Sequence, residues 1–114
     1  MNSRQKGARG ERDARDALKK VLQCEARRGQ QFSGGKDSPD VVHDIHGVHI
    51  EVKRVETFNA YKAMEQAIRD AGDGNIPVVM HRRNGEEWLL VCRFVDLPTL
   101  ASRIHFHVLE KETT

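Results

Sequence analysis

Pro39-Asp40 is followed, after ten residues, by Glu51-Val52-Lys53. Two carboxylates and an ammonium at this spacing can converge on one cation. Mg²⁺ takes oxygen ligands, keeps several waters, and is usually held by one or two carboxylates plus a substrate phosphate. A cation held in this way polarises a phosphoryl oxygen and activates water. A nearby lysine orients the nucleophile or offsets charge building on the phosphorane. The residue set points to metal-assisted phosphodiester cleavage. Asp40 and Glu51 would be the Mg²⁺ ligands and Lys53 the charge stabiliser, with Mn²⁺ as a substitute ion.

A short hairpin would position these groups. Val41–Ile45 and Val48–Val52 are β-prone runs flanking His46-Gly47, where glycine permits a tight two-residue turn. In that register Ile45 opposes Val48, Val42 opposes Glu51 and Asp40 opposes Lys53. Side chains alternate between faces. Val41, His43, Ile45, Val48, Ile50 and Val52 then share an apolar face. Asp40, Val42, Asp44, His49, Glu51 and Lys53 share the other, and a one-residue slip would scramble the separation. The competing reading is an amphipathic hairpin whose wet face is charged and whose Lys53 makes an ordinary cross-strand ion pair.

The rest of the chain bounds the choice. Its 114 residues suffice for one domain, and 38% hydrophobic with 32% charged content suits a folded globular protein. No apolar run approaches the roughly 18 residues of a membrane span. No secretory signal is evident. Cys24 and Cys92 are far apart with no CxxC spacing, so free thiols in a reduced cytosol are expected rather than a structural zinc. Residues 1–28 hold nine Lys/Arg against four acids, a net of +5, while the remainder is slightly acidic. That asymmetry suits a polyanion as partner, or simply a solvated helix face.

Helical spacing places a helix over Gly10–Glu25, with Ala14, Leu18, Val21 and Leu22 as its apolar stripe and Glu11 continuing that stripe inward. Residues 30–38 form a loop. Its Gly34-Gly35 admits close approach of a phosphate backbone, and Ser33 and Lys36 can donate to phosphate. Thr57 or Asn59 caps a helix that runs to about Ala71, stopped by Gly72-Asp73-Gly74. Ile76–His81 and Trp88–Val91 read as strands joined through Asn84-Gly85. Asp96-Leu97-Pro98 opens a short helix to about Arg103. Residues 101–114 end the chain as a last strand, His105 to Glu110, or a tail. The order is α-β-β-α-β-β-α, a mixed sheet flanked by helices.

Lys6-Gly7-Ala8-Arg9-Gly10-Glu11-Arg12, Arg28, Phe32-Ser33-Gly34-Gly35, Pro39-Asp40-Val41 and Glu51-Val52-Lys53 together resemble the PD-(D/E)xK nuclease superfamily. Within it they are most similar to the archaeal and phage type of Holliday junction resolvase. The likeness covers about residues 6–100. It implies a restriction-endonuclease-like α/β fold in which Asp40, Glu51 and the Val52 carbonyl bind Mg²⁺. It makes Lys53 catalytic and has Glu11 complete the acidic site. Ser33 would contact the scissile region, and Gln66 would sit near the site. Arg54-Val55-Glu56 departs from the family pattern, as does Cys24-Glu25-Ala26-Arg27.

The resemblance further implies branched DNA as substrate, gripped by Lys6, Arg9, Arg12, Arg15, Arg28, Ser33 and Lys36. It implies a homodimer with two sites for two strands, working in DNA recombination and repair in a prokaryotic or phage-infected cytoplasm. Trp88 and the strand Ile76–Met80 are candidate dimer surfaces. The alternatives are a nicking, repair or restriction-like nuclease of the same superfamily, and a non-catalytic DNA-binding module. The six histidines suggest no zinc set: His43 and His49 face opposite sides, and His105-x-His107 lacks a third ligand. His49 suits a supporting or DNA-contacting role.

Overall fold

The apolar runs do form strands, though not all with the expected partners. The computed structural model describes the backbone of residues 3–28 and 41–113, with side chains for 9–26 and 41–113. In chain order the elements are α1 (Ser3–Leu22), β1 (Ala26–Arg28), β2 (Val41–His43), β3 (Val48–Lys53), α2 (Ala60–Ala71), β4 (Ile76–His81), β5 (Leu89–Cys92), a 3-10 turn at Phe94–Asp96 and α3 (Leu97–Glu112). Strand β4 is central. It pairs parallel with β3, from Val48↔Ile76 to Lys53↔His81, and antiparallel with β5, from Val78↔Cys92 to His81↔Leu89. Parallel pairing needs a crossover, and α2 supplies it. The result is a mixed three-stranded sheet flanked by helices.

Period-2 alternation sorts the sheet's two faces. Val48, Ile50, Val78 and Met80 pack into the main core with Ala14, Leu18, Cys24, Ala26, Val41, Ile45 and Leu100. Val79 faces the other way, onto Ala63, Met64 and Ala67 of α2. The polar residues of β3 therefore lie beneath α2 rather than on a wet face. Helix α2 has the expected bounds. The Asn59 side chain accepts the Lys62 N–H, and Gly72 ends the helix with φ 73°.

Four expectations need correction. His46-Gly47 is a turn, with Gly47 at φ 77°, but among the described residues β2 pairs with β1. Val42 lies opposite Arg27, not Glu51. The Ile45 N–H donates to His43 Nδ1 at 3.1 Å, which folds the chain locally where a ladder would continue. Helix α1 stops at Leu22 instead of Glu25, and Val21 is 72% exposed rather than in the stripe. Gln23 turns left-handed there (φ 56°), and the Cys24 N–H reaches back to the Leu18 carbonyl. Cys24 then fills the core position. The short β1 was not expected as a strand. Finally, His105–Glu110 is helical, part of one α3. Leu100, Ile104 and His107 recur at helical spacing on its inner side, and Pro98 sits in the first turn, where proline is tolerated.

Arg103 of α3 fastens two loops by donating from Nη1 to the carbonyls of Gly47 and Gly74. Strand β4 is buried in the middle of the sheet, so Ile76–Met80 is not a surface for pairing chains. Among the described residues no helix is long and apolar enough to cross a membrane.

Gly10 sets how closely α1 approaches β3. A Cβ there would meet Arg54 Cβ at 2.6 Å, an atom fixed to the backbone at the end of the strand. Alanine would gain about 1 kcal/mol of helix propensity, but overpacking costs about 1–3 kcal/mol. Gly10→Ala is therefore expected to lower stability, by about 1 kcal/mol net, read as a lower urea midpoint. A raised midpoint would show that this approach is not made.

Candidate active site beneath the second helix

Strand β3 presents His49, Glu51 and Lys53 on one face, because they are alternate residues of the strand. Glu51 is only 2% exposed, its neighbour on that face being His49. His49 Nε2 lies 2.8 Å from Glu51 Oε1. The Lys53 ammonium donates to Gln66 Oε1 at 2.8 Å. Gln66 comes from α2, whose small Ala63 and Ala67 let the helix sit close over the strand. Asp70, one turn beyond Gln66, completes a cluster. One ligand atom from each of His49, Glu51 and Asp70 lies within 4.8 Å of the others. This group can hold a metal ion.

The end of β3 is pinned where Lys53 sits. His81, opposite Lys53 in the register, donates from Nδ1 to the Lys53 carbonyl at 2.9 Å. Phe58 stacks on the His81 ring, with centroids 4.0 Å apart and planes within 6°. Arg54 then reaches across to the Arg82 carbonyl and to Asn84 Oδ1. These contacts fix the strand backbone, so the Lys53 side chain starts from a settled position.

Glu11 on α1 is buried, at 7% exposure, and its helix packs against β3. The Gly10–Arg54 approach places the Glu11 end of α1 at the Lys53 end of β3. Arg9, Arg12 and Arg15 of α1 point elsewhere. Arg9 and Arg12 are exposed, and Arg15 bonds Asp16 at 3.1 Å. The structure thus gathers Glu51, Lys53 and Gln66, and brings Glu11's helix to the same strand end. Val52 lies between Glu51 and Lys53 in β3. Asp40, Ser33 and Lys36 lie outside the described residues, as do the side chains of Lys6 and Arg28. Asp70 was missed, although its spacing of four from Gln66 would have put both on one helix face. His49, which suits a supporting role on the acidic face, bonds Glu51 there.

No family model and no curated protein matches the sequence. Among solved structures the chain is similar to Hjc, a Holliday junction resolvase from the archaeal hyperthermophile Archaeoglobus fulgidus. The two are 25% identical, with a TM-score of 0.56, over 74% of this chain and 73% of that one. In fold, then, the chain resembles the resolvase branch of the PD-(D/E)xK nucleases.

The Lys53–Gln66 bond gives a direct structural test. Leaving a partly buried ammonium without its acceptor costs about 1–3 kcal/mol. Gln66→Leu is expected to lose stability in that range by chemical denaturation, whereas Gln66→Glu retains an acceptor and most of the stability. An unchanged midpoint for Gln66→Leu would mean the bond is not formed in solution.

Proposed function

We propose that the chain is a divalent-metal-dependent endonuclease acting on branched DNA, a Holliday junction resolvase. The observation that carries this reading is the buried Glu51 carboxylate, set beside Lys53 on one strand face in a fold similar to a resolvase. A carboxylate is seldom fully buried unless it is paired or coordinates a metal, and a binding module has no use for one aimed at phosphate.

The donor set fits a hard divalent cation. Glu51 and Asp70 supply carboxylate oxygens within 4.8 Å of His49. Oxygen ligands suit Mg²⁺, and carboxylate and carbonyl oxygens also accommodate Mn²⁺. Glu51, Asp40, Glu11 and the Val52 carbonyl would hold the ion in this reading, with Asp70 close by. When bound, the ion supplies Lewis-acid polarisation of the scissile phosphate and a more acidic water. Lys53 carries a positive charge to the reacting phosphate, and Gln66 keeps its ammonium aimed along the strand face. His49 orients the Glu51 carboxylate through their 2.8 Å contact. Ser33 would meet the scissile region.

DNA enters from the basic side. Arg9 and Arg12 are exposed on the helix that carries Glu11. With Lys6, Arg15, Arg28 and Lys36 they would grip phosphates without reading bases, so affinity should depend steeply on salt and little on sequence. A second copy would supply the second site that a two-fold symmetric junction needs. The exposed apolar residues Leu89 and Leu90 on edge strand β5, followed by Phe94 and Val95, offer a surface for that copy.

Cleavage of matched junction, fork, flap and linear duplex DNA in Mg²⁺ or Mn²⁺ tests the reading. Glu51→Gln and Asp40→Asn are expected to abolish cleavage while DNA binding stays intact or tightens, because a negative charge facing phosphate is removed. Lys53→Ala should cost about a hundredfold in rate. Near-normal turnover by Glu51→Gln would remove the catalytic assignment. A monomer that cuts linear duplex as well as a junction would leave a nicking, repair or restriction-like nuclease. Binding without cleavage under every condition would leave a DNA-binding module.

A further inference from the structure

A second group of ligand-type side chains meets on the far side of the sheet from Glu51. Cys24 follows α1, Asp44 follows β2, and His107 is on α3. One ligand atom from each lies within 4.8 Å of the others. Cys24 is 4% exposed and His107 3% exposed. Among the described residues His107 Nε2 is buried with no hydrogen-bond partner, and its distance to Asp44 Oδ1, 3.9 Å, is too long for a hydrogen bond. A buried ring nitrogen left unpaired calls for a physical reason. This one is aimed at a carboxylate and a thiol.

We propose that Cys24, Asp44 and His107 form a zinc site that ties α3 to the segments beginning β1 and ending β2. Thiolate sulfur, imidazole nitrogen and carboxylate oxygen are the three donor types that Zn²⁺ takes, at bonds of about 2.0–2.3 Å. Tetrahedral ligand atoms then stand about 3.5 Å apart, so closing the cluster requires side-chain shifts of about 1 Å. The fourth position is left for water. His43 is not the fourth ligand. Its Nδ1 already accepts the Ile45 N–H, and the ring also bonds the Val48 backbone.

The Asp44 carboxylate is held in place. Asp44 Oδ1 accepts the Glu25 N–H at 2.9 Å, and Oδ2 accepts from the Lys111 ammonium at 2.6 Å. Both contacts orient the carboxylate in the manner of outer partners to a metal ligand. Burial raises the Asp44 carboxyl, but Lys111, the Glu25 amide and His107 outweigh it, and the group is held below its usual range. Burial and the Asp44 charge push the Cys24 thiol up to about 11. Without a metal the sulfur keeps its proton, and zinc must displace it. An open cleft of about 410 Å³, lined by Glu25, Ala26, Val42, His43 and Asp44, gives an ion access to Asp44.

The inference does not depend on the nuclease reading, and its test is separate. Co²⁺ is titrated into the full-length, reduced, metal-stripped protein. A thiolate-to-cobalt charge-transfer band is expected, saturating at one equivalent per chain and abolished by Zn²⁺. The His49–Glu51–Asp70 group contains no sulfur, so a cation there gives no such band. Cys24→Ser and His107→Ala should lose the band, and Cys92→Ser and His105→Ala should keep it. Zn²⁺ should raise the melting temperature of the wild type by clearly more than that of Cys24→Ser, in which only the His49–Glu51–Asp70 group is left to bind it. No band in the wild type would overturn the proposal, leaving a metal-free network of Asp44 and Lys111. A band that survives Cys24→Ser, or vanishes in Cys92→Ser, would overturn it as well. If Cys24→Ser fails to fold, a band that persists in Cys92→Ser assigns the thiolate to Cys24, because the chain has two cysteines.

Discussion

Taking an ionised carboxylate out of water costs several kcal/mol unless charges and hydrogen bonds replace its hydration. Glu51 sits in the middle of a strand and is 2% exposed. Much of the structure follows from how that cost is met. His49, two residues back on the same face, provides a contact at 2.8 Å. Helix α2 closes the site from above, and its Ala63 and Ala67 allow the close approach that places Gln66 and Asp70 over β3. A larger residue at either alanine would lift the helix. The Lys53–Gln66 bond would be the first to lengthen.

The same strand must serve two masters at once. Its alternate residues Val48 and Ile50 belong to the main core, and His49, Glu51 and Lys53 belong to the polar layer under α2. Period 2 makes this division strict. The parallel register with β4 then carries it across the sheet, since Val78 and Met80 join the main core while Val79 packs under α2. His81 ends that register opposite Lys53 and bonds its carbonyl. The core thus fixes the site's geometry through backbone hydrogen bonds of the sheet.

What could be read in the sequence was what local periodicity encodes. The alternation in Val48–Lys53, the Asn59 cap, the Gly72 stop and the β-branched run at Ile76–His81 each lie within one element, and each has its expected place. The failures have physical causes too. Ala26-Arg27-Arg28 carries no strand pattern, and it is a strand only because β2 lies beside it. Ile104, Phe106 and Val108 alternate as strand residues do, but Leu100, Ile104 and His107 also fit a helix, and packing of that face on the core decides. Val21 fits the stripe of α1 by spacing, yet the left-handed Gln23 brings Cys24 inward instead. Among site residues, Gln66 was reached only through the family resemblance. Asp70 was legible by its helical spacing from Gln66. The meeting of Cys24, Asp44 and His107 was not, because three separate elements deliver them.

Helix α1 joins two tasks on one rigid body. Along a helix each residue rises about 1.5 Å, so Arg9 and Arg12 lie within about 3 Å of Glu11 along the axis. Their side chains differ in direction, with Glu11 buried and Arg9 and Arg12 exposed. Gly10, between Arg9 and Glu11, touches Arg54 at the end of β3. Phosphates bound at those arginines would thus be held at a set distance from the acidic face, with no hinge between them. In the proposed reading this coupling matters more than the number of cations. A flexible basic tail would supply the same charge, but it would not fix which phosphate reaches Lys53.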